Sequence, residues 1–482
     1  MNKSITTIVK QARESISKGN YDLALRLTRD FIETIVTEPI LTGQVFSSKK
    51  LDLLCQDIGA LNLPNALDFL ENLTVQEKSS TIIYIVSRLQ NSGGHLHVIL
   101  NMIAAQTEKK HLILSTEVAG ASNISFTLST VQQSSSVEFL VAPRGSLESK
   151  LTWLQGFLLA YDPEHVYLFN HHQDSVAASA IVPKMNIKGS FCHHGDHHIC
   201  LGVHINHLRH IDFHPMGYHH CRDNLGIDNI YLPLICHDKG LIIRERLNAS
   251  CKPINTFTIA RSNKVEIPYF ASYISIVPRI LETTGGVHLH IGKLTPKAIR
   301  YIKKELRKLD VPDNRFVYIE WTDDIRSTME THEVDVYISS FPLAAGMTII
   351  EVMSAGIPVI LHSHIFSRVH SSLELAYPEA FKWGVEEELL LYLSSLTQEN
   401  LAVESLRARH HYELYHQPKI LSDFLENKVS NIVKVPELSN QFNPCAEEWA
   451  AWVVSEINIK HILYRSFYRF WRRLRAFLNI SL

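Results

Sequence analysis

The feature that most constrains the fold of this chain is the run at 335–361, DVYISSFPLAAGMTIIEVMSAGIPVIL. Residues 334–339 have the length and β-branched content of a buried strand. A loop of small residues follows at 341–346, then a helical pattern over 347–355, Gly356 as its cap, and a second apolar strand over 358–361. Two buried strands joined by a helix belong side by side in a parallel sheet. The turn is the informative part. Ala344, Ala345 and Gly346 keep side chains small where the chain enters the helix, so unpaired backbone N–H groups and the positive helix end can face an anion. Thr348 adds a hydroxyl to that nest.

A small-residue turn before a helix occurs in any Rossmann-like unit, so the turn alone does not select a ligand. The whole string FPLAAGMTIIEVMSAGIPVI is more specific. It resembles the nucleotide-sugar half-site of GT-B glycosyltransferases, in particular the branch holding O-GlcNAc transferase and the bacterial adhesin N-glycosyltransferases. The resemblance implies that Gly346, Met347 and Thr348 sit at a diphosphate and Glu351 at a ribose. Retaining members of the fold carry a second Glu eight residues before the ribose Glu. Here that place is Leu343, which favours inversion.

A chain of 482 residues exceeds what one hydrophobic core supports. The expected architecture is α/β and GT-B-like, with two Rossmann-like domains behind a helical N-terminal extension. Its boundaries read as 1–78 (extension), 79–250 (acceptor domain), 251–440 (nucleotide-sugar domain) and 441–482 (terminal helices with a basic aromatic tail). A net charge of −2 gives no general basis for nucleic-acid binding. Seven cysteines without a paired framework suit reduced thiols and a cytoplasmic protein. No apolar run reaches the roughly 18 residues that a membrane span needs.

In the extension, GNYDLALRLTRDFI resembles half of a tetratricopeptide hairpin turning at Gly19-Asn20-Tyr21, but no second copy follows. A helical cap on the first sheet is therefore favoured over a stacked protein-binding repeat. Next come the strand pattern TIIYIVS, a turn through Gly93, Gly94 and His95, a helix, and the strand HLILST. The Gly-Gly turn suits either a close approach to an acceptor or a plain strand-to-helix turn.

Histidine departs most from an average composition: of 27, roughly half lie between His165 and His220. HVYLF runs into the polar tip Asn170-His171-His172-Gln173-Asp174, and IKGSFC runs into His193-His194-Gly195-Asp196-His197-His198. Two successive polar strand ends should share one rim of the sheet, where open α/β sheets place ligands. Three explanations stand side by side. The histidines could bind metal with Cys192, Cys200, Cys221 or Cys236, although no compact zinc-finger spacing is present and no metal is expected. They could supply an acid–base imidazole held by Asp196. They could be ordinary surface and core residues. By loose resemblance to the Gly-His-Pro loop of the family, His194, Asp196 and His197 are the candidate catalytic residues.

In the second domain, the Arg261-Ser262-Asn263-Lys264 turn resembles the family loop whose Lys reaches the diphosphate, so Lys264 is the expected phosphate cation. That chemistry is direct, because a lysine and a helix N-terminus can stabilise a departing diphosphate without a metal. A strand over 315–321 ends at Trp321 and Thr322, which the resemblance places at the base. At the C-terminus, Arg465, Arg469, Arg472, Arg473 and Arg475 alternate with Tyr464, Phe467, Phe470, Trp471 and Phe477. Such a helix suits either an anionic membrane surface or packing against the first domain. The resemblance implies transfer of a sugar from a nucleotide donor, expected to be uridine diphosphate-linked, to a protein or glycan acceptor with no further cofactor. A non-catalytic nucleotide-sugar binder and a zinc hydrolase built on the histidines are the competing readings.

Overall fold

The computed structural model describes residues 4–37, 45–71, 73, 80–90, 94–123, 136–242, 253–267, 269–364, 371–426 and 433–438, with single positions and pairs between 462 and 474. Packing divides the chain into two compact units, one built on Met1–Leu232 and the other on Pro233–Leu421. The expected boundaries at 78, 250 and 440, and most of the basic tail, fall outside the described residues.

In the first unit seven parallel strands run in the order β3-β2-β1-β4-β5-β6-β7. They are β1 Thr81–Val86, β2 Lys110–Ser115, β3 Ser136–Val141, β4 His165–Phe169, β5 Gly189–His193, β6 Arg209–Asp212 and β7 Asn229–Tyr231. β1 is buried along its whole length, as its TIIYIV sequence requires of a strand covered on both faces. The order reverses beside β1, because the chain first builds outward through β2 and β3 and then returns to add β4 on the other side. That reversal is where an open α/β sheet leaves a crevice at its carboxyl edge.

Three helices precede this sheet: α1 Ile5–Ile16, α2 Tyr21–Val36 and α3 Lys49–Leu70. Ser4 caps α1 through the N–H of Thr7, and Asn20 caps α2 through that of Leu23. Ala12, Ala24, Leu25, Leu54 and Ile58 enter the same apolar core as Ile83, Leu112 and Val166 of the strands. The helices are therefore a cap on the first sheet. Asp52 of α3 anchors it further, its carboxylate accepting the N–H groups of Gly202 at 2.7 Å and His204 at 2.9 Å.

The second unit holds six parallel strands in the order β10-β9-β8-β11-β12-β13. These are β8 Ile254–Ile259, β9 Gly285–Ile291, β10 Phe316–Ile319, β11 Val336–Ile338, β12 Val359–His362 and β13 Phe381–Trp383. β11, the helix Met347–Ser354 and β12 are the strand-helix-strand unit expected at 335–361, and Gly356 sits at φ +71°, the left-handed cap that glycine allows. One strand is shorter than its sequence suggests: β10 stops at Ile319. Thr322 and Asp324 then close a polar turn that starts the helix Ile325–Thr331, so Trp321 lies beyond the strand.

Candidate functional site

The chemistry-bearing residues form two sets, one in each unit. In the second unit they gather at the carboxyl ends of β8, β10 and β11. Lys264 stands in the helical turn Ser262–Val265 after β8, and its Nζ donates to the carbonyl of Ala344 at 2.9 Å. The lysine and the small-residue loop, 80 positions apart in sequence, thus meet directly. Burial pushes the Lys264 pKa down to about 8, and neighbouring Arg261 adds to the effect. A cation destabilised by desolvation and positive charge favours an anionic ligand.

Gly346 precedes the helix Met347–Ser354 and no side chain caps that end. The first N–H groups of that helix lie beside half-buried Met347 and Thr348, at the turn where the sequence places an anion. One turn on, burial raises Glu351 to about 7, opposed by Lys239 and assisted by Asp324. Trp321 is 60% exposed and its indole donates to Asp323 at 3.1 Å. Thr322 bonds Thr328 at 2.8 Å. Trp321 presents a flat face and Thr322 stiffens the turn that carries it.

In the first unit the strand ends of β4 and β5 are neighbours, and their histidines do share one rim. The expected catalytic trio separates there into two groups. His194 stacks on His95 with ring centroids 4.2 Å apart, while His171 meets both rings edge-on at 5.4 and 5.6 Å. One ring nitrogen from each of these three lies within 4.8 Å of the others. Burial holds His194 down near about 4 and His95 well below the ordinary imidazole range, so both are neutral at pH 7.

Asp196 and His197 belong to the other group. Asp196 is buried, and its Oδ2 lies 2.7 Å from Nδ1 of His214, whereas His197 Nδ1 is 3.9 Å from Oδ1. Burial alone would raise this carboxyl, but His214 and His197 outweigh it and hold Asp196 well below the usual carboxylate range. An ionised Asp196 fixes the Nδ1–H tautomer of His214 and leaves Nε2 as the lone-pair nitrogen. The imidazole nearest the Asp196 carboxylate is therefore His214, eighteen positions on, with His197 of its own loop farther away.

The sequence reading placed His95 and His171 in their turns without assigning them a role, and it did not single out His214. Only the pairing of β1, β4, β5 and β6 brings these turns together. Asp174 was also read only as part of a polar tip. It is fully buried and accepts from Ser87 at 2.5 Å, Thr116 at 2.6 Å and the N–H of Ala177 at 2.9 Å, which joins the ends of β1 and β2 to the helix Ser175–Ala180.

No family model and no curated protein matches the chain. Solved structures do. HepE of Anabaena, in complex with UDP and glucose, superposes with a TM-score of 0.55 at 14% identity over 72% of this chain and 99% of its own. A glycosyltransferase from Rickettsia africae gives 0.54 at 15% identity over 73% and 98%. The lipopolysaccharide outer core galactosyltransferase WaaB in its apo form gives 0.51 at 12% identity over 72% and 100%. The chain has the fold of these GT-B glycosyltransferases, α/β with two Rossmann-like domains.

Proposed function

We propose that this chain of GT-B fold is a glycosyltransferase that takes a sugar from a nucleoside diphosphate donor, preferentially a uridine one, and passes it to a protein or glycan acceptor. The observation that carries the reading is the contact between Lys264 and the loop before Met347–Ser354. It sets a desolvated cation beside an uncapped helix end, a combination suited to a diphosphate. As the sugar–phosphate bond breaks, negative charge grows on the departing diphosphate, and Lys264 with the N–H groups after Gly346 stabilises it without a metal. Glu351, one turn along the same helix, accepts from a ribose hydroxyl. Trp321 and Thr322 hold the base. UDP and glucose in the HepE structure support the donor class.

The acceptor side belongs to the first unit. Neutral imidazoles take a proton from an attacking hydroxyl or amide. His214, with its tautomer set by Asp196, is the better oriented base, and His194 with His95 and His171 lines the acceptor position. Leu343 in place of a second acidic residue supports inversion.

The test is a thermal-shift and calorimetric screen of UDP, GDP, ADP and their sugars, followed by donor hydrolysis. UDP and at least one UDP-sugar should raise the melting temperature of the wild type, and the shift should vanish in Lys264→Ala. If no nucleotide stabilises the protein, the donor assignment is wrong. If UDP binds but no acceptor ever yields turnover, the chain is a binder that keeps the fold without the chemistry.

A further inference from the structure

We propose that the first unit contains a closed structural metal site for zinc, made by His193, His210, Asp212 and Cys221. One ligand atom of each lies within 4.8 Å of the other three, and all four residues are buried, between 0% and 4% exposed. Neither the fold nor the proposed sugar transfer calls for this site.

Sheet register builds it. His193 pairs with Asp212 across β5 and β6, and Phe191 pairs with His210. Because strand side chains alternate, His193, His210 and Asp212 project from one face of the sheet. The helix Pro215–His219 then turns back, and Cys221 arrives over that face from the next turn, His220–Asn224. Gly217 permits the approach: a Cβ there would lie 3.0 Å from both Asp212 Oδ1 and Asp196 Oδ2. The sequence carries no finger-like spacing, since the ligands are brought together by strand pairing and a turn across 28 positions.

Two of the distances match edges of a tetrahedron. Bonds of about 2.0–2.1 Å to nitrogen or oxygen and about 2.3 Å to sulfur give ligand-to-ligand edges of roughly 3.3–3.6 Å. Cys221 Sγ is 3.6 Å from His193 Nδ1, and His210 Nε2 is 3.3 Å from Asp212 Oδ2. The short edge is His193 Nδ1 to Asp212 Oδ1, at 2.8 Å a hydrogen bond that the ion would replace. A hydrogen-bond cluster accounts for the group only in part. His210 Nε2 is buried 3.3 Å from Asp212 Oδ2 without the geometry of a good hydrogen bond, and His193 Nδ1 is approached by both Asp212 and Cys221.

Charge also closes. On binding, the Cys221 thiol releases its proton to solvent, and the Nδ1 proton of His193 moves to Nε2. Two neutral imidazoles, one carboxylate and one thiolate then neutralise a divalent cation, which removes the cost of an unpaired buried charge. Asn229 donates to Asp212 Oδ2 at 2.7 Å and to the carbonyl of Tyr218 at 2.9 Å, so the carboxylate is oriented from outside. With four protein ligands and no exposed position, the site suits a staple rather than a hydrolytic centre. It ties β5 and β6 to the turn behind His214.

The test is elemental analysis of full-length protein purified without chelator, then cobalt(II) titration of the stripped protein. One zinc per chain is expected, with a near-ultraviolet thiolate-to-cobalt charge-transfer band and the intense visible bands of tetrahedral cobalt. Cys221→Ser should remove the charge-transfer band, His95→Ala should keep it, and Asn229→Ala should weaken cobalt binding roughly tenfold or more. Protein that stays metal-free and shows no such band in excess cobalt overturns the proposal. So does a band that survives Cys221→Ser or disappears in His95→Ala. If Cys221→Ser does not fold, the wild-type titration still decides.

Discussion

The two units use the same device, polar residues at the carboxyl edge of a parallel sheet, but they fill it differently. In the second unit one helix start and one lysine carry the proposed donor site, and Lys264 and Glu351 are both drawn toward neutrality, the lysine down to about 8 and the glutamate up to about 7. In the first unit the rim is crowded with imidazoles, and its carboxylates are tied to partners: Asp196 to His214, Asp212 to His193 and Asn229, and Asp174 to Ser87 and Thr116. Lys264 donates to a neutral carbonyl, that of Ala344, and no carboxylate pairs with it among the described residues, so its charge suits an anionic ligand. A site whose charges are already paired supports geometry.

The sharpest way to break this comparison is Lys264→Ala. If the lysine is the counter-charge of a diphosphate, its loss should cut UDP affinity and turnover by about 100-fold or more, while the unfolding midpoint stays close to wild type. Calorimetry and circular dichroism read the two effects separately. A variant that unfolds early and binds nucleotide normally would make Lys264 a structural lysine held by Ala344.

Asp174→Ala should do the reverse. It strands two buried hydroxyls and an N-terminal N–H, and it is expected to cost about 2–4 kcal/mol of first-unit stability in urea unfolding. UDP affinity, which the proposed function assigns to the second unit, should be unchanged. A matching loss of affinity would show that the two halves do not act separately.

The difference between the units also explains what could be read from sequence. The donor loop is nearly contiguous: strand, small turn, helix and Glu351 fall within 335–361 and obey local rules of periodicity and capping. The histidine rim of the first unit is a product of pairing. His95, His171, His194 and His214 come from four separate turns, and no spacing rule links them. Strand β3 and the helix Leu147–Tyr161 were not singled out by pattern, because SVEFLV alternates imperfectly and the helix hides Lys150 and Gln155 on buried faces. Lys150 is held there by the carbonyl of Thr116 at 2.7 Å, a partner visible only once the sheet is built.

Two carboxyl groups near neutrality sharpen the comparison further. Asp52 in the first unit and Glu351 in the second are each raised to about 7, in both cases chiefly by burial. Asp52 has a structural employment, the N–H groups of Gly202 and His204, whose hydrogen bonds oppose the shift. At pH 5 Asp52 is a neutral acid, and Asp52→Asn replaces its hydroxyl, which can still accept, with an amide NH2 that cannot, at a cost of about 1–2 kcal/mol. Because the Asp52 pKa is raised on folding, its favourable contribution is full below about 4 and lost as pH rises through about 7. The gap between wild type and variant, measured by urea melts, should therefore narrow between pH 5 and pH 8.

Glu351 obeys the same sign but has no hydrogen bond from a side chain among the described residues. Its stabilising contribution is full below the ordinary 4.5 and disappears as pH rises through about 7, so ionised Glu351 is a burden on the unliganded fold. Glu351→Gln removes that titration. The variant should lose melting temperature less steeply than the wild type between pH 5 and pH 8, with the decline due to Asp52 remaining, and at pH 8 it should be more stable by about 1 kcal/mol. Its UDP affinity should fall about tenfold, since an amide replaces a charged acceptor for the ribose hydroxyl. Melting curves at pH 5 and pH 8, with and without UDP, read all four corners. A Gln variant that is less stable at pH 8 and binds UDP as well as wild type would make Glu351 a second Asp52, and the distinction between a waiting site and a satisfied one would collapse at this residue.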